Sequence, residues 1–350
     1  MGDLSFAIFG TGFWSRFQLA AWQELEGVKC VALYNRTVSK AEEMAQQFRI
    51  PAVYGDPEEL LRRERLDFVD IVTDPWTHSR FVHMAAAHKL PVICQKPMAP
   101  TLAEAESMVE TCHRAGVPYF IHENWRWQAP IRELKKLFDS GVIGMPFRAR
   151  IACVSGYPAF INEPWLKDWP EYIIFDMGCH LLDVARFLFG EAESLYCQVN
   201  RIHADFKGED VATLMLKMGS RTTVTIELAF AENYLEHDVF LSTPIFVEAD
   251  NGSAELDYNS RLRVTTKSGT HVTTVPSASY SWALPDYQVC HSSIVSCNAN
   301  LLKALRNDGT AETSGDEYLK TMRLVFAAYD SARLGKAIQL AQDREPIVAS

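Results

Sequence analysis

Asp176 and His180 stand four residues apart in the run Asp176-Met177-Gly178-Cys179-His180-Leu181-Leu182-Asp183. On a helix that spacing puts both side chains on one face, so the carboxylate can orient the imidazole and raise its basicity. An imidazole with an ordinary pKa near ~6.5 suits proton abstraction at neutral pH, which makes His180 the candidate general base. A lone helical histidine is more often a packed or surface residue, so this reading needs partners. Lys96, in Gln95-Lys96-Pro97 after a short apolar strand, supplies one. Its ammonium can bond a reacting oxygen, relay its proton, or both. The sequence leaves open which of Lys96 and His180 takes the proton first. Oxidising an alcohol requires a base, a fixed group for the developing alkoxide and a carbon held against a hydride acceptor.

The first strand and turn supply a place for such an acceptor. Ser5 to Phe9 reads as a buried strand, followed by Gly10-Thr11-Gly12-Phe13-Trp14-Ser15 and a helix running to about Leu25. This is the strand, glycine turn and helix of a dinucleotide fingerprint. Gly10 makes the tight turn, and Gly12 lets backbone amides approach a pyrophosphate at the positive end of the helix. Ser15 stands where the third glycine is usual. A bare pair of glycines also ends ordinary strands, so the succession around it decides. Strand Val28–Tyr34, a helix capped by Ser39 and running to Phe48, strand Phe68–Thr73, helix Ser79–His88, strand Pro91–Cys94, helix Leu102–His113 and strand Pro118–His122 follow. Short apolar strands alternating with amphipathic helices predict a doubly wound parallel sheet. Asn35 and Arg36 end the second strand, where an acid would bind the ribose 2′-hydroxyl and exclude NADP; taken alone, they lean towards NADP or dual use.

From about Met145 the pattern changes to alternating strands: Phe147–Ser155, Ser194–His203, Ala212–Lys217, Thr222–Ala229 and more through about Val275. They predict an open, mainly antiparallel sheet. Two late helices, about His291–Arg306 and Glu317–Leu334, are expected to return towards the first domain. The expected division is a dinucleotide-binding domain over residues 1–124 and an α+β domain over 125–350.

The chain has 350 residues, net charge -10 and no basic cluster, which argues against a nucleic-acid partner. No stretch reaches the roughly 20 apolar residues of a spanning helix, and the apolar start lacks a basic leader, so no membrane is expected. Eight cysteines without C-x-x-C or finger spacing fit buried thiols in a reducing cytosol. No histidine and acid spacing suggests a metal site.

Gln95-Lys96-Pro97 and the Asp176–Asp183 run together resemble the Gfo/Idh/MocA oxidoreductases, whose hallmarks are Glu-Lys-Pro and Asp-x-Gly-x-His-x-x-Asp. The resemblance runs from Gly10 to the terminal 331–340 segment. It implies catalysis by Lys96, Asp176 and His180, with Asp183 structural. It implies cofactor contacts at Gly10, Thr11, Gly12, Phe13, Trp14, Asn35, Arg36, Asp74, His78, Gln95, Lys96 and Asn124. Two departures stand out: Gln95 replaces a glutamate that helps hold the nicotinamide-side ribose, and Asn35 replaces a common acid. His122 and Glu123 near the nicotinamide are as consistent with structural hydrogen bonds.

Substrate residues are expected among Lys96, Asn124, Arg126, Trp127, Trp165, Trp169, Asp176 and His180. The Trp165-Leu166-Lys167-Asp168-Trp169 stretch combines indole faces with polar groups, as carbohydrate sites do, although the tryptophans serve equally as core plugs. Arg126 serves equally as an interdomain ion pair, and His291 as a helix cap. Within the family, the Gln-Lys-Pro and His-Glu-Asn-Trp-Arg-Trp-Gln runs resemble a subgroup that oxidises an aldose at C1 to its lactone with NAD. That resemblance favours NAD over NADP. The alternatives are a ring-hydroxyl dehydrogenase of an inositol or another sugar, possibly using NADP, a non-catalytic dinucleotide-binding regulator, and internal redox in an elimination or glycoside cleavage. A cytoplasmic homodimer or homotetramer is the expected form.

Overall fold

The computed structural model describes residues 2–232 and 242–340; residues 341–350, the tail of the expected second domain, lie outside them. The chain divides into two units, one made of Met1–Ala129 with Ser277–Arg323 and the other of Pro130–Pro276 with the segment from Leu324 onward. The first unit thus takes in a stretch that a single cut near residue 124 assigns to the second.

In the first unit the elements run β1 (Leu4–Phe9), α1 (Phe13–Gln23), β2 (Val28–Tyr34), α2 (Val38–Phe48), β3 (Ala52–Tyr54), α3 (Pro57–Arg63), β4 (Phe68–Ile71), α4 (Pro75–Ala87), β5 (Val92–Gln95), α5 (Leu102–Ala115) and β6 (Tyr119–His122). The strands form one parallel sheet in the order β3-β2-β1-β4-β5-β6, the Rossmann order. Four buried residues in β4, Phe-Val-Asp-Ile, show why these strands read as continuous apolar runs: both sheet faces are covered. Phe6 stacks on Phe68 at 4.7 Å between ring centroids, in a core that also holds Ile8, Leu33 and Ile93.

Local signals set the helix ends, and some differ from the sequence expectation. The second helix begins at Val38 after Thr37, whose side chain makes no capping bond, so Ser39 lies inside it. The fourth begins at Pro75, four residues before Ser79, because proline at the first turn loses no helical hydrogen bond. Thr101 caps α5 by accepting from the Glu104 amide at 3.2 Å, and Gly116 ends it in the left-handed region. The short pair β3 and α3 has no counterpart in the sequence reading.

The second unit opens with α6 (Ala129–Asp139), whose first residue lies before the division. It continues with β7 (Pro146–Ser155), α7 (Cys179–Phe189), β8 (Ala192–Asn200), β9 (Val211–Met218), β10 (Thr223–Phe230), β11 (Ile245–Ala249), β12 (Gly252–Leu256), β13 (Arg261–Thr266) and β14 (Gly269–Thr274). These strands and the later β15 (Ile338–Gln339) form one sheet in the order β14-β13-β12-β11-β7-β10-β9-β8-β15. Only β7 and β10 pair in parallel; the other neighbours are antiparallel. The sheet is therefore mixed and mostly antiparallel, with one face buried in alternation along β9 and β10.

Two long helices follow the sheet: α8 (Gln288–Leu305) and α9 (Gly315–Leu334). Helix α8 belongs to the first unit, where Cys297, Leu301 and Leu302 enter the same core as Phe6 and Leu33. The division falls within α9, after Arg323. Among the described residues, no helix is long and apolar enough to cross a membrane.

Candidate active site

The cofactor residues expected in the first unit lie at the carboxyl ends of the parallel strands or in the turns and helices that follow them, Phe13 and Trp14 in α1 and His78 in α4. Past the carboxyl end of β1, Gly10 adopts φ +100 and donates its amide to the Tyr34 carbonyl at 2.8 Å. A Cβ there would collide with the Val72 carbonyl oxygen, so glycine is required both for its dihedral and for the approach of β4. Gly12 is different: it is the N-cap of α1 in extended conformation, with no capping side chain, and a Cβ there would meet nothing within 4 Å. The first turn of α1 is thus an open cradle of backbone amides, which fits a pyrophosphate. Ser15, in the place of the third glycine, is buried and donates its hydroxyl to the Gly12 carbonyl at 2.8 Å, closing the loop on itself.

Asn35 also holds this loop. Its Oδ1 accepts from the Thr11 amide at 3.4 Å while its Nδ2 donates to the Thr37 carbonyl at 2.9 Å. Arg36 is exposed beside it. Desolvation raises the Asp74 carboxyl above its ordinary range, and the Arg36 charge opposes that rise, so these two groups share the β2 and β4 ends of the sheet. Phe13 and Trp14 carry their rings into an aromatic cluster at the start of α8. Phe13 meets Tyr287 at 6.0 Å and Trp14 meets His291 at 5.7 Å between centroids.

Past β5, Lys96 is half-buried and its backbone amide donates to Gln95 Oε1 at 3.1 Å. The buried His78 ring braces the same segment. Its Nδ1 lies 3.1 Å from the Pro97 carbonyl and 3.2 Å from that of Met98, and its Nε2 lies 2.9 Å from the Thr73 carbonyl. Burial pushes this imidazole towards its neutral form, with those carbonyls opposing. His78 therefore ties the end of β4 to the lysine-bearing segment.

Beyond β6, the buried Glu123 accepts from the Trp125 amide at 2.9 Å and from the Tyr318 hydroxyl at 3.2 Å. Asn124 donates Nδ2 to the Cys290 carbonyl at 3.0 Å and to Ser293 Oγ at 2.8 Å, fastening the strand end to α8. Arg126 is buried and pairs with Glu312 of the same unit, 3.8 Å from its carboxylate and 3.3 Å from its carbonyl. Trp127 packs against the core of that unit.

In the second unit, Asp176 and His180 are 4% and 2% exposed, at the entry of α7. The helix does not enter as a regular α-turn: Ile174–Gly178 forms a π-turn, and Cys179 begins the α-helix. Such one-turn expansions occur often at functional sites. A spacing of four presumes a 3.6-residue turn; here Asp176 stands in the widened turn and His180 in the first α-turn. The Asp176 charge adds to burial in pushing the Cys153 thiol up to about 12. Upstream, Trp165 and Trp169 meet edge to face at 6.2 Å, and Trp169 lies 6.0 Å from Phe175, adjacent in sequence to Asp176. Asp183 is fully buried within α7.

Several residues that hold the site are absent from the sequence reading. Glu209 accepts from the Tyr172 amide at 3.1 Å and the Ile174 amide at 3.0 Å, capping the π-turn. Gln18 and Asp70 lie behind Gln95 in a buried polar chain. Nothing in a one-dimensional spacing signals these pairs. Their only trace is the polar residue itself, Asp70 in an apolar strand and Gln18 on a buried helix face.

The family model for the NAD-binding Rossmann fold of an oxidoreductase family, GFO_IDH_MocA, matches residues 4–123, and the GFO/IDH/MocA C-terminal domain model matches residues 131–255. A D-apiose dehydrogenase of Rhizobium rhizogenes is 36% identical over 340 residues, 97% of this chain and 98% of that protein. One from Paraburkholderia graminis is 37% identical over 334 residues, 95% of this chain and 89% of that protein. The crystal structure of an oxidoreductase from Agrobacterium radiobacter in complex with NAD+, L-tartaric acid and magnesium superposes with a TM-score of 0.94 at 36% identity, covering 96% and 98% of the two chains.

Proposed function

The chain belongs to the Gfo/Idh/MocA family of NAD-binding oxidoreductases, and from that premise we propose that it oxidises an aldose at its anomeric carbon to the lactone, D-apiose to D-apionolactone being the leading case. The observation that carries the substrate is the near full-length likeness to two D-apiose dehydrogenases. The retained Lys96, Asp176 and His180 fit turnover rather than sensing alone.

Bound NAD supplies the hydride acceptor, and the open first turn of α1 with Gly12 is the cradle that fits its pyrophosphate. The rest falls to this chain's side chains. Lys96 presents its ammonium to the reacting oxygen and stabilises negative charge as the hydroxyl proton leaves. His180 accepts that proton, with Asp176 orienting the ring. Burial of Asp176 and His180 strengthens these interactions by keeping bulk water away. Trp165 and Trp169 offer apolar faces to the CH groups of the sugar ring.

The test is absorbance in the reduced-nicotinamide band, with purified protein, a panel of aldoses and inositols including D-apiose, and NAD or NADP. The expected result is a rise with D-apiose and NAD, with lactone as product. A rise with an inositol alone would replace this substrate with the ring-hydroxyl reading. A flat trace with NAD binding intact would remove the dehydrogenase assignment in favour of internal redox or sensing.

A further inference from the structure

Gln95 precedes the lysine, and its carboxamide faces the core of the first unit. Its Nε2 donates to Gln18 Oε1 at 2.5 Å and lies 3.1 Å from His122 Nδ1. His122 Nε2 lies 2.9 Å from Asn298 Oδ1, a contact that suits a ring proton on Nε2 with Nδ1 as acceptor. Gln18 in turn donates Nε2 to both oxygens of Asp70, at 2.7 and 2.8 Å, and Trp22 Nε1 donates to Oδ2 at 2.8 Å. All six of these residues are buried.

The direction of every bond in this chain follows from its end. An ionised carboxylate accepts only, so Gln18 must turn its amino group to Asp70 and its carbonyl to residue 95. Residue 95 must then donate. Glutamine does so and keeps its own Oε1 for the Lys96 amide at 3.1 Å. An ionised glutamate at 95 would face the Gln18 carbonyl with a second acceptor, and a buried unmatched pair of acceptors is costly.

We propose that Asp70, acting through Gln18, dictates a hydrogen-bond donor at position 95, and that Gln95 is thereby a positioning residue for the backbone of Lys96. The exchange of acid for amide in the Gln-Lys-Pro motif is thus matched to an acid on the neighbouring strand β4. The part that concerns turnover rests on Lys96 acting as described under Proposed function; the part that concerns donor polarity does not.

A cycle of Gln95→Glu, Asp70→Asn and the double variant tests both parts at pH 8, where Asp70 is ionised. Asp70→Asn lets Gln18 flip, because asparagine can donate to the Gln18 carbonyl while still accepting from Trp22. The flipped Gln18 then offers its amino group to a glutamate at 95. In cofactor-free protein, Gln95→Glu should lower Tm by roughly 5 °C, and adding Asp70→Asn should recover most of that loss. In turnover, Gln95→Glu should lower kcat by about tenfold, with KM values for sugar and NAD within about twofold. The loss should deepen as pH rises, because a protonated glutamate donates as glutamine does. Other titratable groups around the position are Cys94 and Lys96 along the β5 segment and His122 on β6, common to every variant, and Asp70 on β4, raised by burial to about 7, which titrates only where it is retained. Asp70→Asn alone should stay within about twofold of wild type, and the double variant should regain most of kcat and lose the pH dependence.

Gln95→Met, which fills the space and cannot donate, is the control: Asp70→Asn should not rescue it. If Gln95→Glu does not fold, soluble double variant is the same rescue read as yield. Lack of rescue in Tm overturns the polarity argument. A Gln95→Glu variant with unchanged kcat and weakened NAD binding places residue 95 on the cofactor and overturns the positioning role. A wild type inactive across the sugar panel removes the proposed function, while the Tm cycle still decides the polarity argument.

Discussion

Tyr329 donates its hydroxyl to Oε1 of Glu209 at 2.9 Å, and the same hydroxyl oxygen accepts from the Phe175 amide at 2.9 Å. With the two amides that Glu209 accepts directly, these two side chains satisfy Tyr172, Ile174 and Phe175 at the entry of the π-turn. The first amides of a helix have no partners within it, and an acid there also meets the positive end of the helix dipole. Burial pushes the Glu209 carboxyl up, and the hydrogen bonds from Ile174, Tyr329 and Tyr172 pull it back towards the charged form. Asp176 and His180 are therefore placed by a clamp from two distant points of the chain.

Removing that clamp should cost stability and activity together. Glu209→Ala leaves two buried amides unmatched and should destabilise the protein by about 2–3 kcal/mol, with kcat falling as the π-turn loosens. Glu209→Gln keeps one acceptor and Tyr329→Phe keeps both carboxylate bonds, so each should cost about 1 kcal/mol. Urea unfolding beside steady-state rates checks the order. A Glu209→Ala enzyme with wild-type stability would mean that the capping bonds carry no net energy.

The two glycines of the first turn should fail in different ways. Gly10→Ala forces a Cβ into the Val72 carbonyl at φ +100, so the whole first unit should lose stability or fail to fold. Gly12→Ala meets no atom in the protein within 4 Å and should leave Tm almost unchanged. Its effect should be confined to NAD, with affinity falling about tenfold or more as the added methyl meets the pyrophosphate. Thermal unfolding and calorimetric titration with NAD separate the two. Unchanged NAD affinity in Gly12→Ala would move the cofactor away from this turn.

The catalytic assignment predicts that Lys96→Ala and His180→Ala each lower kcat by roughly 10²–10⁴ while NAD binding survives. Asp176→Asn should act on the same step more mildly, since it orients the base rather than taking the proton. Stopped-flow rates of nicotinamide reduction, with NAD titrated separately, are the measurement. Wild-type turnover in either alanine variant would remove that residue from the chemistry.

The strand, glycine turn and helix at Ser5–Leu25 were legible because buried parallel strands read as apolar runs and the turn needs glycine at Gly10. The antiparallel strands around β9 and β10 were legible for a related reason: burial alternates residue by residue, with period two. The short β3 and α3 were not, because three and seven residues are too few for a period to register. The π-turn at Ile174–Gly178 was hidden because an inserted residue leaves the motif spacing of Asp176 and His180 intact. Asp70 and Gln18 are 52 residues apart, and no local pattern shows that a buried acid and a buried amide meet. The return of α8 to the first unit was expected from the sequence, and Cys297 and Leu301 reach the core of Phe6 there; the bounds Ser277–Arg323 are a matter of packing at long range.

Two buried groups in the first unit should shape its stability against pH in opposite directions. Burial raises the Asp70 carboxyl to about 7, with Trp22 and Gln18 opposing. In the unfolded chain it titrates near ~3.9. Between those values the unfolded state is ionised and the folded state holds the proton, so stability falls as pH rises, by at most about 1.4 kcal/mol per unit. His291 behaves inversely. Burial against Phe17, at 4.0 Å between ring centroids, and the Arg16 charge lower it to about 4. Its unfolded value is near ~6.5, so stability falls as pH drops from there towards 4. Over their shared window, roughly pH 4 to 6.5, the two slopes oppose each other. Asp70→Asn should therefore expose a steeper loss of stability on acidification. His291→Phe keeps the ring stack, removes the acceptor of the Leu284 amide, and should leave stability declining as pH rises towards 7. Urea unfolding at intervals from about pH 4 to 8 reads both. An Asp70→Asn protein whose acid limb matches wild type would mean that Asp70 is already ionised in the folded state at pH 5.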